Sequence, residues 1–401
     1  MNSNHNPNQS RIRRTVAAVL IVAVLVAAVG VFLVARCLSF DENGAHVIDR
    51  YGVLAQEAQQ LEGEGNAEPE QPQEEAPVEQ PEPEPEEPDS RIVMLAAGAV
   101  AEEQDRILEL AENGALDTVV VNIKDGEGNL NISVDTREID EVEYLVDSGA
   151  DALEETIAAL KDAGVHVIGR IYCLHDAQAT KYNSDLAIQF ERGGTWLDYD
   201  NTRWLDPTND DTVEYLCDIA ESAVEVGCDE LMLADFTFPP RGHLDRAEFD
   251  RYPDDQASVL LDALEEIQHA AGDAAVSLTA DSLSDLTDLS ANGEEDGIPV
   301  GDAGALLEAA DRLFVPVNSA DEAETLLETV RELSETAVVV PVFRSSDAWL
   351  AYDGDAVLDG TADSEGALAA VENRLSGSYD NSDKYSQEDD SDGYDDSDEE
   401  E

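Results

Sequence analysis

Positive charge is scarce in this 401-residue chain: Lys and Arg together number 22 against 92 Asp and Glu, giving a formal net charge of −70. Lysine occurs only as Lys124, Lys161, Lys181 and Lys384. So acidic a chain repels phosphate backbones and anionic lipid headgroups, which argues against nucleic acid as a partner. Much of the charge sits in two low-complexity segments flanking a globular region, as in an acidic exported protein rather than a salt-adapted one.

Cysteine is rarer still. Beyond Cys37 there remain Cys173, Cys217 and Cys228, without a CxxC motif or a His pair at zinc spacing, so neither a disulfide framework nor a metal site is signalled. Cys173 falls in a strand pattern and Cys217 on a helical one, which reads as buried free thiols, with a Cys217–Cys228 bridge as the alternative. GxGxxG, P-loop and GxSxG motifs are also absent. Dinucleotide, nucleoside triphosphate and serine-hydrolase chemistry lose their usual support, and no cofactor is expected.

What the chain does have begins with an uncharged run, Thr15 to Ala35, behind Arg11, Arg13 and Arg14. As a helix of about 21 residues it would rise about 31 Å, the thickness of a bilayer core. With only Arg36 on its far side, the arginine balance predicts an uncleaved signal anchor with residues 1–14 inside the cell and the rest outside. Residues 36–90 form a juxtamembrane segment and a Glu/Pro-rich linker including "QPQEEAPVEQPEPEPEEPD", and residues 376–401 form an acidic tail. Neither can bury enough apolar area to fold, so both are expected to be disordered.

Between them, residues 91–375 alternate short apolar runs with amphipathic helical stretches. The strand candidates are 91–97, 117–123, 166–174, 229–236, 274–280, 311–317 and 337–343, each nearly continuous in apolar character, as in parallel strands covered on both faces. Helices are expected over 102–113, 152–163, 212–226, 257–271 and 321–333. This alternation predicts an α/β fold, a TIM-type (β/α) barrel. The eighth strand is expected in the weak stretch Trp349–Leu358, failing which the barrel is incomplete.

In such folds the chemistry lies at the C-terminal ends of the strands. Strand two ends in Lys124 and Asp125; strand three carries Arg170 and ends in His175 and Asp176; strand four offers Asp235, strand five Asp281, strand six Asn318 and strand seven Arg344. Each also has a plain structural reading, because loops leaving such strands commonly open with a helix cap. The long insertion Asp185–Asp210 sets Trp196, Tyr199 and Trp204 beside Asp198, Arg203 and Asp206. That mixture suits a polysaccharide groove, with rings stacking on sugar faces, and equally suits a layer packed on the barrel rim.

The order and spacing of "VVVNIKDGEGN", "GRIYCLHD", "LAIQFERGGTWLDYDNTRWLDPTND" and "VEVGCDELMLADFTFPPRGHLD" resemble the putative glycoside hydrolase domain family, a TIM-barrel group of bacterial exported proteins. The resemblance runs from about Val93 to Phe343 and is densest between Lys124 and Asp245. It implies matches at Lys124 and Asp125, at Arg170 and Asp176, and at Trp196, Asp198, Trp204, Asp206 and Pro207. The family usually carries an acid where this chain has Ala234, and here the acid follows one residue later, at Asp235. A one-residue shift turns a strand side chain to the other face unless Asp235 lies past the last regular pair.

Two functions follow as expectations. The first is a glycosidase acting on extracellular or cell-wall polysaccharide, with Asp235 paired with Asp176 or Asp281 as acid and nucleophile or base. Arg170 and His175 would tune charge and bind hydroxyls, with Lys124, Asp125, Trp196, Asp198, Arg203, Trp204 and Asp206 completing the substrate groove. The second is a catalytically degenerate, membrane-tethered carbohydrate-binding module using the same groove.

Overall fold

The computed structural model describes residues 38–41, 44–47, 91–280 and 298–375. The apolar segment 15–35, the Glu/Pro-rich linker, Asp281 and the acidic tail lie outside these residues. Among the described residues no helix is long and apolar enough to cross a membrane. The chain divides into two units, 1–84 and 85–401. In the first, Leu38–Asp41 pairs antiparallel with Gly44–Val47.

The second unit is a closed barrel of parallel strands whose order around the ring follows the chain. The strands are β1 (Arg91–Leu95), β2 (Thr118–Lys124), β3 (His166–Tyr172), β4 (Glu230–Ala234), β5 (Ala275–Thr279), β6 (Leu313–Val317), β7 (Val339–Phe343) and β8 (Ala356–Asp359). β8 closes the ring by pairing Ala356 with Arg91 and Val357 with Ile92. The eighth strand therefore exists, at the end of the stretch where it was expected, and the barrel is complete.

The near-continuous apolar runs arise because both strand faces are covered. One set, including Ile92, Met94, Val120, Ile168, Met232, Phe314, Val342 and Val357, fills the barrel interior. The alternating set, including Val93, Val121, Val167, Leu231, Leu233 and Val276, packs outward among residues of the helices. Those helices include α1 (Gln104–Glu112), α2 (Ala150–Asp162), α3 (Asp210–Val226), α4 (Gln256–Ala271) and α5 (Ala320–Leu333). Side-chain oxygens cap several of them: Asn209 accepts from Asp211 N and Thr212 N, Asp255 from Ser258 N, and Ser319 from Glu322 N. The three cysteines of this unit are free thiols, so the Cys217–Cys228 bridge does not form.

At the N-terminal end of the barrel, Glu230 is sealed from solvent at 2 % exposure. Its carboxylate accepts from Ser277 Oγ at 2.5 Å and from Arg312 Nε at 3.1 Å, with His166 Nε2 at 3.4 Å. Burial pushes its pKa up, but the His166, Arg312 and Ser277 contacts outweigh burial and hold it below the usual value. Removing one partner of a buried ion pair costs about 3–5 kcal/mol, less where the survivor keeps some solvent, as Arg312 does. Glu230→Ala should lower the unfolding free energy in urea by at least about 2 kcal/mol; a change below about 0.5 kcal/mol would mean the cluster is not holding the barrel base.

Candidate functional site at the barrel mouth

The C-terminal mouth is organised by a lysine with no solvent contact. Lys124, the last residue of β2, points its Nζ at Asp176 Oδ2, 2.7 Å away, and both side chains are 0 % exposed. The same ammonium donates to the carbonyls of Tyr172 at 2.5 Å and Cys173 at 3.4 Å, and among the described residues Asp176 Oδ2 has no contact beyond its ion pair with that ammonium. The other Asp176 oxygen accepts from the backbone N–H groups of Gln178 and Ala179 at 2.9 and 2.8 Å. Asp125 is spent locally: one oxygen accepts from Glu127 N and Asn129 N, the other from Asn129 Nδ2. Lys124 and Asp125, expected to bind substrate, and Asp176, expected as a catalytic partner of Asp235, thus hold the β2 and β3 loops in place. Gly128, at φ 93°, is part of this fit, since a Cβ there would lie 2.5 Å from Asp176 Oδ1.

Strand β4 answers the question posed by its shifted acid. Met232 faces the barrel interior, so Ala234, two residues on and still paired with Tyr172, presents its methyl to the same side. The regular strand then stops. Asp235 adopts φ 50°, in the left-handed region that aspartate tolerates better than most residues. Its carbonyl still accepts from Leu174 N at 3.2 Å, while its carboxylate lies 3.5 Å from His175 Nδ1. The alternation of faces no longer binds Asp235, and its side chain is turned to a histidine at the rim.

From that pair a chain of contacts crosses the insertion. His175 Nε2 lies 2.8 Å from Thr202 Oγ1, and the imidazole stacks on Trp204 with ring centroids 4.7 Å apart. Asp198 accepts from Thr202 Oγ1 at 2.7 Å, from the Trp204 indole at 3.1 Å and from the backbone N–H groups of Asp200 and Thr202. Burial pushes the Asp198 pKa up, but these hydrogen bonds together outweigh it and the net shift is downward. Trp196 is fully buried and donates from Nε1 to the His243 carbonyl at 3.0 Å. Asp206, also buried, accepts from Thr208 N and Oγ1 and from Asp250 N, and burial raises its pKa despite them. Of the residues expected to line a sugar groove, Trp196, Trp204, Asp198 and Asp206 have polar atoms that are turned inward and knit the insertion to the rim. Arg203, partly exposed, has no polar partner among the described residues.

The open space lies elsewhere. A cavity of about 550 Å³ sits over Met94, Met232 and Phe314 and is walled by Arg170, Tyr172, Thr279, Arg344, Asp359 and Thr361. Arg170 lies over the Tyr172 ring, 4.5 Å from its centroid, and Asp359 Oδ1 accepts from Thr361 Oγ1 at 2.6 Å. Of the strand-end residues singled out in the sequence, Arg170 and Arg344 are in this wall. Asp235 and His175 are at the rim, and Asp281 follows Ala280, a wall residue, but is outside the described residues. Sequence reasoning missed Asp359 and Thr361 because they end and follow the strand it could not count. It missed Thr279 because a threonine inside an apolar strand carries no signal of its own.

This geometry belongs to a known class. A family model described as "putative glycosyl hydrolase domain" matches residues 93–293, half of the chain, and the chain belongs to that family. Among solved structures, a hypothetical protein from Ruminiclostridium thermocellum is 26 % identical with TM-score 0.41, over 46 % of this chain and 96 % of the other. The PgaB (BpsB) glycoside hydrolase domain of Bordetella bronchiseptica is 13 % identical with TM-score 0.48, over 71 % and 98 %. Ega3 of Aspergillus fumigatus, solved with galactosamine, is 13 % identical with TM-score 0.35, over 70 % and 84 %. No curated protein matches the chain.

The rim histidine gives a pH test. Its bond to Asp235 raises the His175 pKa, against the opposing effect of burial, with the charges of Asp235, Asp198 and Asp176 adding to the rise. A raised folded-state pKa contributes stability that is full below the unfolded value of about 6.5 and is lost as pH rises through the folded value. Unfolding free energy should therefore decline upward from about pH 6.5, and the decline should shrink in His175→Gln. Superimposable pH profiles for the two proteins would contradict the pairing.

Proposed function

We propose that this barrel binds a polysaccharide in its mouth cavity and has lost most or all of the hydrolytic chemistry of its family. The observation that carries the reading is position 234. Where the family usually presents an inward acid, the methyl of Ala234 faces the interior, and the neighbouring carboxylate of Asp235 is engaged with His175 at the rim. Glycoside cleavage needs two carboxyl groups flanking the bond, about 5–5.5 Å apart in retaining enzymes and about 6.5–9.5 Å in inverting ones. Asp359 is the carboxylate that the described cavity wall contributes. A cavity with an apolar floor and hydroxyl, guanidinium and carboxylate groups on its walls suits a sugar ring, which has an apolar face and a polar edge.

The runs that precede the barrel in the sequence extend the proposal. Residues 15–35 would anchor the chain in the cell membrane, and the Glu/Pro-rich linker would hold the barrel outside, at the depth of a cell-wall or extracellular glycan. A second reading, a working glycosidase, is favoured by one feature. A non-glycine residue in the left-handed region beside a cleft is the kind of backbone strain that catalytic residues often bear, and Asp235 is such a residue.

Binding and reducing-sugar release, measured on the same chain with a panel of wall polysaccharides, separate the readings. The expected result is retention on a glycan without new reducing ends, an effect of Asp235→Asn on that binding of less than about threefold, and appearance of cleavage in Ala234→Glu. A native chain that cleaves, and loses about 10²–10⁴ of its rate in Asp235→Asn, would make the displaced aspartate a catalyst.

A further inference from the structure

The cavity wall carries an electrostatic feature that glycan binding alone does not explain. Several arginines of this acidic chain meet carboxylates: Arg106 with Glu372, Arg241 with Asp200, Arg251 with Asp210 and Arg312 with Glu230. With 92 acidic residues against 22 basic ones, such partners are easily found. Arg170 and Arg344 converge on one cavity, and among the described residues neither forms an ion pair. Among the described residues the one hydrogen bond of the Arg170 guanidinium is to Met94 Sδ at 3.4 Å, a weak acceptor. Among the described residues its Nε is buried without a hydrogen-bond partner, and so is Thr279 Oγ1 in the same wall. Buried polar atoms are rarely left this way, and both belong to side chains that line the same cavity.

The balance of charge narrows the ligand. Two guanidinium groups against the carboxylate of Asp359, which is already bonded to Thr361 N and Oγ1, leave one positive charge in the described wall. Guanidinium groups match the planar fork of a carboxylate in both geometry and charge. Resting on the glycan-binding reading, we infer that the cavity selects a sugar bearing a carboxylate, a uronic acid residue within the polysaccharide. Arg170 and Arg344 hold the carboxylate, while Thr279, Thr361 and Asp359 meet ring hydroxyls. The loss of the inward acid at position 234 fits this ligand, because a carboxylate there would stand on the same inner face as Arg170 and repel the anion.

The test is calorimetric titration of the detergent-solubilised full chain with trimers of galacturonate, glucuronate and mannuronate, each beside the same trimer with its carboxyls reduced to alcohols. At least one uronate trimer should bind about tenfold or more tighter than its reduced form. Arg344→Gln, a change at an exposed position that leaves the fold intact, should bring that ratio near unity, and Arg344→Lys should restore most of it. Equal binding of a uronate trimer and its reduced form would overturn the acid selectivity and leave the glycan reading standing. Binding of none of the trimers or polysaccharides would overturn both. Tighter binding of a sugar phosphate than of any uronate would replace the carboxylate with a dianion and overturn the assignment.

Discussion

An ammonium and a carboxylate 2.7 Å apart, both side chains wholly buried, make a costly contact, and the mouth of this barrel is built on one. Desolvating the two charges opposes folding by several kcal/mol per ion, and their attraction offsets this only when every remaining donor and acceptor is also met. The Tyr172 and Cys173 carbonyls accept from Lys124 and the Gln178 and Ala179 amides donate to Asp176 Oδ1, which leaves Asp176 Oδ2, among the described residues, to the ammonium alone. The pair thus fixes the chain from Tyr172 to Ala179. Tyr172 is the ring against which Arg170 lies, and His175 is the partner of Asp235, so wall and rim both depend on the same buried contact.

That dependence explains a division of labour among the polar residues at the mouth. Those with the most hydrogen bonds, Asp125, Asp176, Asp198 and Asp206, hold loops in place. Arg170, Thr279 and Arg344 border the cavity, and among the described residues Arg170 Nε and Thr279 Oγ1 have no hydrogen-bond partner. A carboxylate that accepts several internal bonds is a poor proton shuttle, whereas an arginine without a counter-ion is a ready binder of anions. In a chain with so few cations, their position says more about the ligand than the abundant acids do.

The strands and helices were legible because parallel strands under helices need unbroken apolar runs, and five helical stretches were placed to within about two residues at each end. The run read as 229–236 overshot, since the strand ends at Ala234 and nothing in an Asp codon of sequence announces a φ of 50°. Strand β8 was hard to see for a different reason: four residues, Ala356–Asp359, are too few for periodicity to register, and their burial comes from ring closure. The site was less legible than the fold. The Trp and Asp residues of the insertion have the composition of a sugar groove, but sequence does not tell which way an indole N–H points, and at Trp196 and Trp204 it points to partners inside the protein. The family resemblance brought out Arg170 and the vacancy of acid at Ala234, while the cavity residues that follow β8 went unseen with their strand.

The most direct test of this account is a double-mutant cycle on Lys124 and Asp176, using Lys124→Met, Asp176→Asn and the double variant in denaturant unfolding. The account predicts single losses of about 3–5 kcal/mol that are far from additive, with a coupling of at least about 1.5 kcal/mol, because each single change strands a buried partner. Losses that add to within about 0.5 kcal/mol would contradict it, and the buried pair could not then be what holds the barrel mouth.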